Sequence, residues 1–275
     1  MKLVPRVKHF GDAGIVQSNT RGAWDFLYRA SSVKDENYNI GDRVCLPDGR
    51  VFRYALASGT CNTEVGAYKA KKTNTVAVAP VQAAGAGAVD SLTVTVTIDT
   101  EIGVLTTGVL SEDELAGGYI VIGNGSAQHP QMRFIVGHPA LTTAGGSLTL
   151  TLDSPLDIAV TAATTTIELM ENPYYNLKAD NAGGEYVSFV GIPAAVAASG
   201  EYFWVQTWGP CWVTSDGATC NSANDREIFF VANGSVVSGG TITYAGSAYQ
   251  RAGFALDMSG SASSNAPMIM LQISI

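Results

Sequence analysis

Leu92-Thr-Val-Thr-Val-Thr-Ile98 alternates apolar and polar side chains without a break. A period of two is the mark of a strand with one face buried. Thr75-Val-Ala-Val-Ala79 shares that period, and Tyr119-Ile-Val-Ile122, Met132-Arg-Phe-Ile-Val136, Ser147-Leu-Thr-Leu-Thr-Leu152 and Thr165-Thr-Ile-Glu-Leu169 read as further short strands. Later come Tyr186-Val-Ser-Phe-Val190, Ile228-Phe-Phe-Val-Ala232, Gly240-Thr-Ile-Thr-Tyr244, Gly253-Phe-Ala-Leu256 and Met268-Ile-Met-Leu-Gln-Ile-Ser-Ile275. Gly, Pro and Asn turns separate them, as in Gly123-Asn124-Gly125 and Asn172-Pro173. No stretch carries the period of a long amphipathic helix. Short strands at this spacing fold as sandwiches or barrels, so the chain reads as mainly β.

Gly200-Glu-Tyr-Phe-Trp-Val-Gln-Thr-Trp-Gly-Pro-Cys-Trp-Val213 holds three of the four tryptophans. In a strand Tyr202, Trp204, Gln206 and Trp208 share one face and Phe203, Val205 and Thr207 the other. Aromatics on both faces point to a strand covered on both sides, with Trp204 or Trp208 in the core. Gly209-Pro210 is expected to break its ladder, since proline has no backbone donor. The clearest hairpin is Asn39-Ile-Gly-Asp-Arg-Val-Cys-Leu-Pro-Asp-Gly-Arg-Val-Phe-Arg-Tyr-Ala-Leu-Ala57, turning at Pro47-Asp48-Gly49.

These signals divide the chain into an N-terminal arm (1–32), a β-hairpin region (33–84), a β-barrel or sandwich module (85–177) and a second barrel module (178–275). In a variant, residues 33 to 72 join the last section to form one barrel, with 85 to 177 inserted. Charge follows this division. Residues 1 to 72 carry 12 Lys+Arg against 7 Asp+Glu, a balance of +5, while residues 73 to 275 carry 4 against 17, a balance of −13. A basic arm on an acidic body lies on an acidic partner, on its own body or on a sister subunit. The candidate contact residues are Arg6, Lys8, Arg21 and Arg29, with Trp24 and Phe26 of the Trp24-Asp-Phe-Leu-Tyr28 cluster as apolar anchors. That cluster has a plain alternative, which is to tuck into its own core.

An acidic body is a poor fit for nucleic acid, and no apolar run is long enough for a transmembrane helix. The first ten residues lack the apolar core and cleavage site of a secretory signal. The cysteines at 45, 61, 211 and 220 form no C-x-x-C pair and the histidines at 9, 129 and 138 are scattered, so no zinc site is expected. Cys211 and Cys220 are spaced to bridge a hairpin in an oxidising medium; in a cytoplasmic product they stay reduced. Phosphate loops, dinucleotide fingerprints, H-E-x-x-H and G-x-S-x-G are all missing. Asp153 with Asp157, or Glu112 to Glu114, are the candidate paired carboxylates, and read more simply as solvated loop acids. Neither those acids nor Asp99 with Glu101 follow an EF-hand pattern for calcium. The expectation is therefore a protein with no catalytic residues, no metal and no cofactor.

Two stretches resemble structural proteins of tailed bacteriophages. One is the hairpin from Gly41 to Ala55 with the following Leu56-Ala-Ser-Gly59. The other runs from Leu115-Ala-Gly-Gly-Tyr-Ile-Val-Ile-Gly123 through Leu148-Thr-Leu-Thr-Leu-Asp-Ser-Pro-Leu156 to Asn172-Pro-Tyr-Tyr175, joined by Gly191-Ile-Pro193 and Trp204-Val-Gln-Thr-Trp-Gly-Pro210. The resemblance is to β-barrel head proteins that decorate capsids, called decoration or cement proteins. It implies a virion protein on the capsid exterior, made in the host cytoplasm, that binds the major capsid protein and clamps its neighbouring subunits. It also implies a homotrimer, suited to a three-fold lattice position. Similar β modules occur in phage tails and fibres, where they bind host-surface carbohydrate or a receptor, and fold alone does not decide between the two.

Overall fold

The computed structural model describes residues 24–70, 79–83, 87–98, 109–124, 130–143, 146–160, 165–179, 186–216, 226–241, 249–257 and 267–275. Sixteen strands lie among them. The first nine are β1 (Arg43–Cys45), β2 (Val51–Leu56), β3 (Ala67–Ala70), β4 (Ala79–Ala83), β5 (Thr93–Ile98), β6 (Tyr119–Asn124), β7 (Gln131–Gly137), β8 (Gly146–Leu152) and β9 (Thr165–Met170). The rest are β10 (Leu177–Lys178), β11 (Tyr186–Pro193), β12 (Tyr202–Trp212), β13 (Glu227–Phe230), β14 (Val236–Ser238), β15 (Gln250–Ala255) and β16 (Met268–Gln272). The only helical elements among the described residues are two single 3-10 turns, at Asp25–Tyr28 and Gly239–Thr241. The mainly β reading holds.

The chain divides into two compact units, one of Met1–Pro5 with Lys71–Pro173 and the other of Arg6–Ala70 with Tyr174–Ile275. The divisions fall after Ala70 and Pro173, not after residues 84 and 177. The Gly41–Ala55 hairpin belongs to the larger unit because β2 pairs along β12, from Tyr202↔Leu56 to Trp208↔Val51.

In the smaller unit six strands close into an antiparallel barrel in the order β4-β5-β8-β7-β6-β9, with β9 returning to β4. Closure removes the exposed edges that an open sheet of these short strands would present. The alternation seen in the sequence sets the inside. Val94 and Val96 of β5, Leu148, Leu150 and Leu152 of β8, and Ile120 and Ile122 of β6 fill the interior. Their threonine neighbours face out, where Thr95 and Thr149 bond hydroxyl to hydroxyl at 3.0 Å across the β5–β8 pair.

The larger unit is one ten-stranded sheet, ordered β10-β3-β11-β12-β16-β15-β13-β14, with β2 and then β1 on the other edge of β12. β12 is its spine. Phe203 and Val205 enter one apolar cluster and Trp204 another on the opposite face; the register shift between Gln206 and Trp208 then reverses the alternation, so that Cys211 and Val213 enter a third cluster on the side of Trp204. Both faces of the first half of the strand are thus covered, and Trp204 is 2% exposed.

Three local expectations are corrected. Gly209-Pro210 does not end the ladder: pairing with β16 continues through Pro210↔Met270 to Trp212↔Met268. Thr207 C=O accepts from Ile273 N–H and Val213 N–H donates to Pro267 O, so odd-numbered residues bond toward β16. Pro210 then points its missing donor at the opposite edge, where the pairing with β2 has already ended at Trp208. Gly209 takes φ +95, and a Cβ there would stand 2.9 Å from Arg50 Cα, so only glycine fits beneath the hairpin. Of the strand expected over Gly240–Tyr244, Gly240 and Thr241 instead lie in the Gly239–Thr241 3-10 turn that follows β14, and residues 242–244 lie outside the described residues. The strand expected from Ile228 to Ala232 ends at Phe230, before the turn at Gly234.

Candidate functional site

The arm enters the fold through the Trp24–Tyr28 cluster. Asp25–Tyr28 forms one 3-10 turn, closed by Leu27 N–H donating to Trp24 O at 3.0 Å. Leu27 is 0% exposed, in a cluster with Val44, Leu46, Phe52, Tyr54 and Trp204. Phe26 stacks on Tyr38 with ring centroids 5.9 Å apart and meets Trp204 edge-on. Trp24 packs against the same cluster. A reciprocal backbone pair between Ser31 and Tyr202, at 2.7 and 3.0 Å, then fixes the chain to the start of β12. Of the candidate contact residues, Trp24 and Phe26 are therefore half-buried in the chain's own core, and Arg29 is exposed at the root of the arm. Arg6, Lys8 and Arg21 lie outside the described residues.

The candidate chemical groups are held in structural roles. His138 is buried; its Nε2 accepts from Leu115 N–H at 2.9 Å and its Nδ1 faces Pro139 O at 2.8 Å. Those partners assign the neutral tautomer with the proton on Nδ1. Asp157 pairs with Arg133 at 2.6 Å, and Asp153 accepts from Phe134 N–H. Glu114 accepts from Ser111 N–H, and Asp113 from His138 N–H. Among the described residues no group of three or more His, Cys, Asp or Glu side chains is arranged to hold a metal ion. His9, His129, Asp99 and Glu101 lie outside the described residues. Cys61 and Cys211 are free thiols, each pushed up to about 12 by burial. Cys45 is also free, and Cys220 lies outside the described residues.

A surface that the sequence reading did not single out lies farther along β12. Beyond the register shift at Gln206/Trp208, Trp208, Pro210 and Trp212 share one face, the first two half-buried and Trp212 57% exposed. Trp212 stands opposite Met268 and Pro210 opposite Met270 on β16. On the far side of β16, Phe254 stands opposite Met270, and Leu256 N–H donates to Met268 O at 2.9 Å. Three adjacent strands thus present one apolar face, with Leu256 48% and Met268 47% exposed. The parity of residues 208, 210 and 212 is the signal that could have found it, and reading Gly209-Pro210 as a stop concealed it. No protein-family model, curated protein or solved structure matches the chain.

Proposed function

We propose that this protein decorates the outside of a phage capsid, binding the major capsid protein and stabilising contacts between its subunits as a homotrimer. The resemblance of residues 41–59 and 115–210 to decoration proteins motivates the reading. The observation that carries it is the root of the arm. Residues 1 to 23 hold four positive side chains and one negative, and this basic segment is joined to the ten-stranded sheet through buried Leu27. A basic tether on a fixed base suits attachment to an acidic lattice. A protein that binds the assembled lattice and not its free subunits stabilises it by mass action, by about RT ln(1 + [L]/Kd) per site. No catalytic step is assigned.

The test adds full-length protein, or protein lacking residues 2 to 22, to capsids without it and measures occupancy across a salt series. Truncation is expected to leave the β units folded and to lower occupancy. Occupancy of the full-length protein is expected to fall as salt rises, because screening acts over about 10 Å at 0.1 M. Equal occupancy of both proteins at every salt concentration overturns the role of the arm, and absence of binding by either overturns the function.

A further inference from the structure

Arg43 of β1 and Arg53 of β2 stand directly opposite each other, each half-buried. Leu46 N–H donates to Arg50 O and Tyr54 N–H to Asp42 O, so the bonded pairs of this hairpin are the even-numbered ones. Arg43 and Arg53 are therefore a non-bonded pair, the kind whose side chains come closest. Like charges placed directly opposite destabilise a sheet. No Asp or Glu among the described residues pairs with either guanidinium. The nearest acids in sequence are engaged elsewhere: Asp42 Oδ2 accepts from Asn39 N–H, and Asp48 pairs with Arg50.

The two arginines differ in how far their donors are met. Arg53 donates from Nη1 to Gly41 O at 3.0 Å and from Nη2 to Ile275 O at 2.7 Å, and lies over the Tyr174 ring. Those contacts hold its guanidinium in place. The Arg43 side chain has no acceptor among the described residues, and the Nε of both arginines is shut off from water without a partner. Donors left unmet in this way cost stability. An oxyanion between the two forks offsets the repulsion and gives Arg43 the acceptor it lacks. Along the same face the neighbours are Cys45 and Val51 on one side and Gly41 and Ala55 on the other, all uncharged. Positive charge is thus confined to one pair. A nucleic acid, which needs a row of cations, finds a single contact here, whereas one oxyanion is matched. We infer that Arg43 and Arg53 form a binding site for a single oxyanion, a carboxylate or phosphate group, on the β1–β2 hairpin.

The experiment follows the thermal midpoint of the full-length protein at constant ionic strength as chloride is replaced by acetate or by inorganic phosphate. A third series adds a blocked oligoglutamate peptide. A saturable rise is expected, because a ligand bound only by the folded chain stabilises it. Arg43→Gln is expected to weaken binding about tenfold or more, through loss of its charge-assisted bonds. In chloride alone the same variant is expected to melt no lower than wild type, because it removes the like-charge pair. A general salt effect does not produce that crossing. Arg43→Lys, which keeps the charge and loses the fork, serves if the first variant fails to fold, and is also expected to bind more weakly. Tighter binding of oligoglutamate than of the small anions supports the site and assigns it to a side chain of a partner protein; the reverse order supports it as a site for a free anion. No saturable effect from any probe, or the same response in wild type and Arg43→Gln, overturns the inference.

Discussion

Phe26 meets Trp204 edge to face, with ring centroids 5.7 Å apart and planes at 76°. This is where the arm's root and the spine of the sheet become one packing unit. Tyr38 also stands edge-on to Trp204 at 4.9 Å, and Tyr54 lies tilted against it at 5.1 Å. Trp204→Ala is expected to cost about 3–5 kcal/mol in denaturant unfolding. Phe26→Ala, at a half-buried ring, is expected to cost less and to loosen the root of the arm. Proteolysis near Tyr28 checks the second outcome: it should quicken in Phe26→Ala under conditions where the sheet stays folded.

Gln206 carries a second prediction. Its buried side-chain amide donates to Trp208 O at 3.1 Å and Pro210 O at 2.8 Å, along the edge that β2 leaves open. Gln206→Leu removes both donors and leaves two carbonyls without these bonds, at an expected cost of about 1–3 kcal/mol. Gln206→Glu keeps the shape but sets negative charge against the same oxygens. It is expected to cost at least as much at pH 8, read from thermal midpoints.

Close backbone approach makes a third. A Cβ on Gly253 would fall 1.9 Å from Met270 O, whereas one on Gly200 meets nothing within 4 Å. Both glycines have positive φ, so the pair separates collision from backbone strain. Gly200→Ala is expected to cost about 1–2 kcal/mol. Gly253→Ala is expected to cost clearly more, or to prevent folding, because β15 and β16 must move apart. Equal midpoints for the two variants would refute this.

The thiols give a pH dependence. Burial raises Cys61 and Cys211 from the ordinary 9.0 to about 12. Above pH 9 the unfolded chain releases these protons while the folded chain keeps them, so stability is unaffected below pH 9 and falls between 9 and 12. Each thiol contributes a slope of about 1.4 kcal/mol per pH unit in that window. Cys211→Ser is expected to make the fall shallower. Alkylation at pH 8, mapped by mass spectrometry, should label Cys45 well before Cys61 or Cys211. A Cys211–Cys220 bridge found in the same maps would overturn the reduced state.

The strands were legible where one face meets an apolar core and the other meets water. Val94 and Val96 between outward threonines are the clearest case, and β5 to β9 fall within a residue or two of their expected bounds. β3 was not legible, because Ala67-Tyr-Lys-Ala70 has no alternation and is a strand through its pairing with β11. The union of β2 with β12 was equally hidden, since side-chain period says nothing about which distant strand completes a sheet. The candidate contact residues were legible as a charge imbalance and an aromatic cluster. That Phe26 would stack on Tyr38 was not, because composition does not distinguish an anchor for a partner from an anchor for the chain itself.

The pairing of β3 with β10 has one more consequence. Lys69 stands opposite Leu177 and Tyr68 opposite Lys178, so the larger unit releases the chain and recovers it on neighbouring strands. Everything from Lys71 to Pro173 hangs from that one doorway. The entropy of closing the excursion grows only slowly with its length. The doorway can therefore carry a longer module, a different one or a short turn with little change to the sheet, which makes the barrel the interchangeable part of this protein and the sheet its chassis.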